Sequence, residues 1–286
     1  MATAALQAMR EFELTEEDFR FLARQVYELT GIVIHERKRD MLYSRLSRRL
    51  RTLNLASFRD YCDYVGGPTG ASEVGAMINA VTTNLTHFFR ESHHFDHLRD
   101  VALPAFAAAG RQSGKQKLRL WSAGCSSGEE PYSIAMTVKS AAIDFSRWDL
   151  RILATDLDTD MVTKGAAGRY RAADAEGIPA ELAAKYTDEV ATPAGAEIRM
   201  RDGLKQMIAF KQLNLIGDWP MRGPFDAIFC RNVMIYFDHP TKARLIDRYA
   251  ELLRPDGWLY IGHSESLSTV SDRFQLVGRT IYRRVK

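Results

Sequence analysis

The chain has 286 residues, 46% of them hydrophobic and 26% charged, with a net charge of +3. This is material for one large core or two modest ones, and its ordinary balance excludes a disordered or fibrous chain. No apolar run approaches the roughly 18 residues of a membrane span, Met1–Arg10 lacks a leader's basic-then-apolar build, and the charge is too small to argue for nucleic acid.

The first elements are helices. Thr15-Glu-Glu-Asp18 has the form of a capping box ahead of an apolar stripe of Phe19, Leu22, Val26 and Leu29, and Gly31 supplies a stop. A second helix is predicted from about His35 to Leu53, a third over Ser57–Val65, halted by Gly66-Gly67-Pro68, and a fourth over Ser72–Val81. The second is strongly basic: across Arg37–Arg51, Arg37, Lys38, Arg39, Arg45, Arg48, Arg49 and Arg51 stand against Asp40 alone. Lys38, Arg45 and Arg48 fall on one face, opposite Met41, Leu42, Leu46 and Leu50. Such a stripe is either a solvated face or a surface for an acidic partner.

A connector follows, Thr82-Thr-Asn84-Leu-Thr86-His-Phe-Phe-Arg90-Glu91, whose crowded polar groups suit either a lid over a site or helix caps and turn formers. Four histidines lie close by at positions 87, 93, 94 and 97, in no standard zinc spacing. The pattern then alternates: strand Leu118–Ser122, helix Glu129–Ala141, strand Asp149–Ala154, a short helix from about Thr159, strand Phe225–Cys230, helix Thr241–Leu253 and strand Trp258–Gly262. Alternation of this kind predicts an α/β fold with a mainly parallel sheet, whose ligands bind beyond the carboxyl ends of the strands. An intrusion from about 168 to 213 is too long for a crossover. Within it, Asp202-Gly203 between Glu197–Arg201 and Leu204–Phe210 reads as a hairpin turn, so a small antiparallel subdomain inserted into the core is expected. The domain boundaries read as 1–84, helical, and 85–286, α/β.

The segment Leu118-Arg-Leu-Trp-Ser-Ala-Gly-Cys-Ser-Ser-Gly-Glu-Glu-Pro-Tyr-Ser133 carries the most chemistry. A buried strand breaks at Gly124-x-x-x-Gly128 and opens into a helix, bringing backbone N–H groups close to a ligand. The spacing departs from the G-x-G-x-x-G that cradles a dinucleotide pyrophosphate, which favours an adenosine cofactor without phosphates over a nicotinamide. Asp156, at the tip of the second core strand, could accept hydrogen bonds from ribose hydroxyls or merely cap the next helix. Glu130, three residues after Ser127, reads both as the partner in a capping box and as a group facing the cofactor. Arg231 and Asn232, where the third strand stops, mark the place for a substrate or cofactor tail. Tyr236 reads more readily as a core aromatic with its hydroxyl satisfied than as a site residue. Cys62, Cys125 and Cys230 are few and far apart, without metal-ligand spacing, which suits a reducing cytoplasmic compartment.

Five blocks, taken in order, resemble the bacterial chemotaxis receptor methyltransferases (CheR family): Thr83-Asn-Leu-Thr-x-Phe-Phe-Arg-Glu91, Ser122-Ala-Gly-x-Ser-Ser-Gly-Glu-Glu-Pro-Tyr-Ser133, Ala154-Thr-Asp-Leu-Asp158, Phe225-Asp-Ala-Ile-Phe-Cys-Arg-Asn-Val-Met-Ile-Tyr-Phe-Asp238 and Gly262-His-Ser-Glu265. The resemblance runs from about Phe12 to the end. It implies a Rossmann-like S-adenosylmethionine-dependent core with an inserted antiparallel β-subdomain and an N-terminal all-α domain. It also implies methyl transfer to glutamate side chains on the cytoplasmic helices of chemoreceptors. Matched position by position, the family's cofactor contacts correspond to Asn84, Thr86, Arg90, Gly124, Glu130, Asp156, Asn214, Leu215, Arg231 and Asn232. Its residues beside the methyl group correspond to Arg90 and Tyr236. In that setting the stripe of Lys38, Arg45 and Arg48 would attract acidic receptor helices. Some members also dock a receptor C-terminal peptide at the edge of the β-subdomain. The Ala191-Thr-Pro-Ala-Gly195 turn departs from the Gly-x-Gly associated with them, which leaves that contact open. Other readings remain: a methyltransferase for a small molecule or nucleic acid, or a cofactor-binding scaffold without turnover.

Overall fold

The structure is a computed structural model that describes residues 10–286 apart from 115 and 194. Of the stretch Met1–Arg10 read for a leader pattern, positions 1–9 therefore lie outside the described residues, as does Ala194 of the Ala191–Gly195 turn. The chain divides into two compact units, up to Thr83 and from Asn84 onward.

The first unit is helical: α1 (Glu16–Thr30), α2 (Arg39–Leu53), α3 (Phe58–Gly66) and α4 (Ala71–Val81). Each buries one stripe, with Phe19, Leu22 and Val26 from α1 meeting Leu42, Leu46 and Leu50 from α2 and Tyr61 and Met77 from α3 and α4. The capping box at Thr15 forms as the sequence indicates: the Thr15 side chain accepts from the Asp18 N–H at 3.1 Å and Asp18 accepts from the Thr15 N–H at 3.3 Å. Gly31 ends α1 in the left-handed region at φ +72°. Thr15→Ala removes the cap and is expected to lower stability by about 1 kcal/mol in urea unfolding; an unchanged midpoint would show the cap to be idle.

The second unit begins with the connector and α5 (His93–His97), which runs through a π-helical stretch into α6 (Leu103–Ser113). Then follow β1 (Lys117–Ala123), α7 (Glu129–Ser140), β2 (Asp149–Asp156), α8 (Thr159–Ala167), β3 (Arg169–Arg171), α9 (Ala180–Tyr186), β4 (Thr187–Thr192), β5 (Gly195–Met200), α10 (Asp202–Lys205), β6 (Ile208–Gln212), β7 (Phe225–Cys230), α11 (His239–Leu252), β8 (Leu253–Ile261), β9 (Phe274–Gly278) and β10 (Ile281–Arg284). Seven strands form the main sheet in the order β6-β2-β1-β7-β8-β10-β9. The first five are parallel, β10 pairs antiparallel with β8, and β9 pairs antiparallel with β10. β7 is buried throughout, as befits a parallel strand covered on both faces. The chain leaves β1 toward β2 and β6 and returns on β1's other flank as β7, so the topological switch lies between β1 and β7. Ligands of such sheets bind there.

The expected hairpin at Asp202-Gly203 does not form. Those residues start the helical turn α10, and the hairpin lies earlier, β4 pairing with β5 across Thr192 and Gly195, with Gly195 at φ +119°. β6 leaves the subdomain altogether and pairs parallel with β2, Ile208 opposite Ile152. The reason is long-range. The open edge of β2 offers β6 a full ladder, and Phe210 closes on Gly165 of α8, where a Cβ would come within 2.5 Å of its ring. The inserted antiparallel sheet is β3-β5-β4, and the insertion ends near Met200 rather than Leu213.

Candidate active site

The loop after β1 is set by its glycines. The N–H groups of Gly124 and Cys125 both donate to the Thr155 carbonyl at 2.8 Å, tying the loop to β2. Gly124 sits at φ +93°, and a Cβ there would fall 2.3 Å from Val233 Cγ2, so only glycine lets the turn after β7 close on the loop. Gly128 caps α7 at φ +101°, with Gly165 Cα and the Tyr170 hydroxyl each 2.8 Å from where a Cβ would stand. The capping box expected of Ser127 and Glu130 is therefore absent. The Ser127 hydroxyl donates to Glu129 at 2.7 Å, which leaves Glu130 to accept from the Ser122 hydroxyl at 2.6 Å and from Arg231 at 3.1 Å.

Asp156 stands at the carboxyl end of β2. One of its oxygens accepts the Ser126 N–H at 2.7 Å and the other the Asp158 N–H at 3.0 Å. Each oxygen thus holds one donor and has capacity for another. Burial pushes its carboxyl above the ordinary range, against the pull of the Asp158, Ser126 and Leu157 N–H groups. Asp158, not Asp156, caps α8, accepting from the N–H groups of Asp160 and Met161. It also accepts from Asn84 Nδ2 at 2.8 Å, while the Asn84 carbonyl accepts from the Ser126 hydroxyl at 3.1 Å. The connector is bonded to the core again at Phe89, whose N–H donates to Ser133 at 3.0 Å.

Arg231, at the end of β7, is 7% exposed. It bonds Glu130 and the Arg90 carbonyl and lies 3.5 Å from Glu91. Glu91 adopts φ +56°, which turns its carboxylate toward Arg231 and toward the His263 Nδ1 at 3.0 Å. Burial raises the carboxyl of Glu130. At Glu91 burial acts the same way, but His263 and Arg231 outweigh it and hold the group low. Glu91, His93 and His94 bring three ligand-type atoms within 4.8 Å of one another. The guanidinium of Arg231 already supplies positive charge there, which opposes a metal ion.

His94 is fully buried, its Nε2 3.0 Å from the Thr280 hydroxyl. Burial, reinforced by Arg231 and His93, pushes its pKa down to about 3. The unfolded chain takes up a proton near pH 6.5 that the folded chain refuses. The resulting stability is whole above that pH and declines as pH falls toward the folded value, by up to about 1.4 kcal/mol per pH unit. In His94→Phe the slope of stability against pH between 6.5 and 4 should flatten in urea titrations; an unchanged slope would rule this source out.

A family model described as the CheR methyltransferase SAM binding domain matches residues 84–283, and one described as the all-alpha domain matches 17–82. Chemotaxis protein methyltransferase 2 of Pseudomonas aeruginosa is 43% identical, covering 96% of this chain and 95% of its own. The chemotaxis protein methyltransferase of Escherichia coli is 41% identical over 97% and 94%. The chain belongs to the CheR methyltransferase family. S-adenosylmethionine is the cofactor of its α/β unit.

The remaining site positions of this CheR member are less tightly grouped. Asn214 turns its Oδ1 to the Ile216 N–H, and buried Leu215 passes its carbonyl to Arg248 at 2.9 Å. Arg248 also bonds the Gly217 carbonyl and stacks 3.7 Å over Trp219, which fixes this loop against α11. Arg90 donates to the Leu85 carbonyl at 2.9 Å, curling the connector on itself. Thr86 and Tyr236 are partly exposed, Tyr236 in a short 3-10 turn over Met234–Tyr236.

In the helical unit most of the basic stripe is spent internally. Arg39 pairs with Glu16 and Glu36, Arg49 with buried Glu73, and Arg51 with Glu11. Arg45 donates to the Val81 carbonyl at 2.7 Å and to that of Thr82, satisfying the end of α4. Arg37 and Arg48 are exposed without an ion pair among the described residues. Lys38 is held below its ordinary pKa by burial and by neighbouring Arg37 and Arg45. Sequence reasoning gave no role to Ser122, Asp158 or His263. Glu91 and Glu265 stood in the matched blocks unassigned, because what they touch is remote in the chain.

Proposed function

We propose that this protein transfers the methyl group of S-adenosylmethionine to glutamate side chains of methyl-accepting chemoreceptors in the cytoplasm, giving glutamate methyl esters and S-adenosylhomocysteine. The carrying observation is the polar set along the carboxyl ends of β2, β1 and β7: Asp156 ends β2, and Glu130, in the first turn of the helix after β1, bonds Arg231 after β7. Its donors and acceptors fit an amino acid joined to a nucleoside. Buried Arg231 Nε has no partner among the described residues and suits an α-carboxylate, Glu130 suits an α-ammonium, and Asp156 suits a ribose diol. Asn84, Thr86, Arg90, Gly124 and Asn232 complete the tail and loop contacts, and Asn214 and Leu215 the adenine side.

When bound, the cofactor supplies an electrophilic methyl group on a sulfonium. A glutamate with an ordinary pKa of about 4.3 is already ionised at neutral pH, so no residue need act as base. The protein's task is alignment and removal of water, worth roughly 7–11 kcal/mol when reactants are well oriented. Arg90 positions the incoming carboxylate, since a guanidinium does not give up its proton, and Tyr236 orients its second oxygen.

Radiolabelled cofactor incubated with receptor-bearing membranes should yield base-labile methyl esters that map to glutamates; label found instead in RNA or small molecules, or none at all, would overturn the reading. The surface drawing acidic receptor helices comprises Lys38 and Arg48, with Arg45 bracing it from the end of α4. Lys38→Glu with Arg48→Glu is expected to slow receptor methylation about tenfold at low salt while calorimetric affinity for S-adenosylhomocysteine holds. Loss of that affinity would contradict the division of labour. The edge of β4 is the proposed seat of any receptor C-terminal peptide.

A further inference from the structure

We propose that Glu265 is a positioning residue that holds the turn bearing Asn232 and Tyr236 in its working shape, an assignment that rests on the methyl-transfer reading above. Glu265 follows β8, is 8% exposed, and makes no ion pair among the described residues. Its carboxylate is satisfied by backbone N–H groups from two strand ends. Oε2 accepts from Asn232 at 3.1 Å and from Gly262 at 2.6 Å, and Oε1 accepts from Ile235 at 3.2 Å. Its own N–H returns to the Gly262 carbonyl at 2.9 Å. A buried anion in a cradle of amides costs a great deal to desolvate, and a fold that needed only a filled space there would be served by an apolar side chain.

What the carboxylate holds is an uncommon backbone. Asn232 lies at φ +59°, a region that side chains other than glycine enter seldom. Gly262 packs directly against it, since a Cβ would stand 2.4 Å from Asn232 Nδ2 and 2.7 Å from its backbone nitrogen. Arg231 and Asn232 are the residues assigned to the cofactor's tail, and Tyr236 follows the Ile235 amide directly. One side chain therefore governs both ends of the turn, each through a different oxygen.

That split makes the proposal testable. Glu265→Gln keeps size and shape but has one acceptor oxygen. Serving two amides with it, toward Asn232 and Gly262, leaves the new NH2 facing the Ile235 N–H, so the Tyr236 side of the turn is released. Glu265→Ala releases both sides. The full-length Gln variant is expected to lose about ten- to a hundredfold in turnover on receptor membranes, with S-adenosylhomocysteine affinity by calorimetry within about threefold of wild type. Adding Tyr236→Phe to it should then cost little more. In Glu265→Ala, affinity should fall as well, by about tenfold or more. A Gln variant that folds, binds and turns over like wild type overturns the proposal, as does a Tyr236→Phe cost undiminished by it. Should the Gln variant not fold, Gly262→Ala displaces Asn232 by direct clash and must lower S-adenosylhomocysteine affinity; normal affinity there overturns the proposal. A wild type that forms no ester on any receptor sinks the substrate reading, while the calorimetric comparison of Glu265→Ala with wild type still decides the role of Glu265.

Discussion

Replacing Arg231 with leucine is expected to cost about 3–5 kcal/mol of folding stability and to abolish measurable binding of S-adenosylhomocysteine. The two effects have separate causes. The guanidinium lies between Glu130 and Glu91, whose side chains are each only 11% exposed, and also bonds the Arg90 carbonyl. Leucine leaves Glu130 with little water and no counter-charge and Glu91 with His263 alone, and the connector loses its tie to β7. Adding Glu91→Gln and Glu130→Gln removes the stranded charges and should recover much of the stability, because a neutral, well-filled site is often no worse than a buried ion pair. It should recover none of the binding, since the groups that would meet the cofactor's ammonium and carboxylate are gone. Urea unfolding and calorimetry on the single and triple variants separate the two. Recovery of binding with stability would show that Arg231 acts only through the fold.

The strands that carry this site were legible because each holds an apolar run, Ala227–Cys230 or Ile152–Ala154, followed by an abrupt polar stop. Phe225–Cys230 ends at Arg231, and Arg151–Thr155 ends at Asp156. The family blocks then placed those stops in one site. What the sequence could not display was pairing across distance. Asp202-Gly203 is a sound local turn signal, but the empty edge of β2 claims Ile208–Gln212 and the dipeptide becomes a helical turn. Ser127 and Glu130 have the spacing of a cap, yet Arg231, a hundred positions on, competes for the carboxylate and wins it. The same holds for the basic helix. Its charge is plain in the sequence, but that Arg49 is spent on Glu73 and Arg45 on the end of α4 is settled by how the helices of that unit fold together.

Asp156→Asn is expected to weaken cofactor binding by about a hundredfold or more, with a smaller effect on stability. Hydrogen bonds to a charged acceptor contribute about 1.5–3 kcal/mol each, and a ribose offers two hydroxyls to the one carboxylate. Each oxygen already accepts one backbone N–H, from Ser126 or from Asp158. In asparagine the new NH2 must face one of those amides or one of the hydroxyls, so at least one donor goes unmet. Burial sharpens the contrast, since the site is dry enough to raise the carboxyl of Asp156 above its usual range. That shift also sets the pH dependence. A carboxylate that titrates high is lost as acceptor sooner when the solution is acidified, so wild-type affinity should fall as pH drops through the weakly acid range. Asp156→Asn, with no proton to gain, should show a flatter profile over the same range. Calorimetric titration of S-adenosylhomocysteine into both proteins across that range provides the measurement. Equal affinities at neutral pH would show that Asp156 serves only to fasten the loop through Ser126, and the ribose would then have to be held elsewhere along the strand ends.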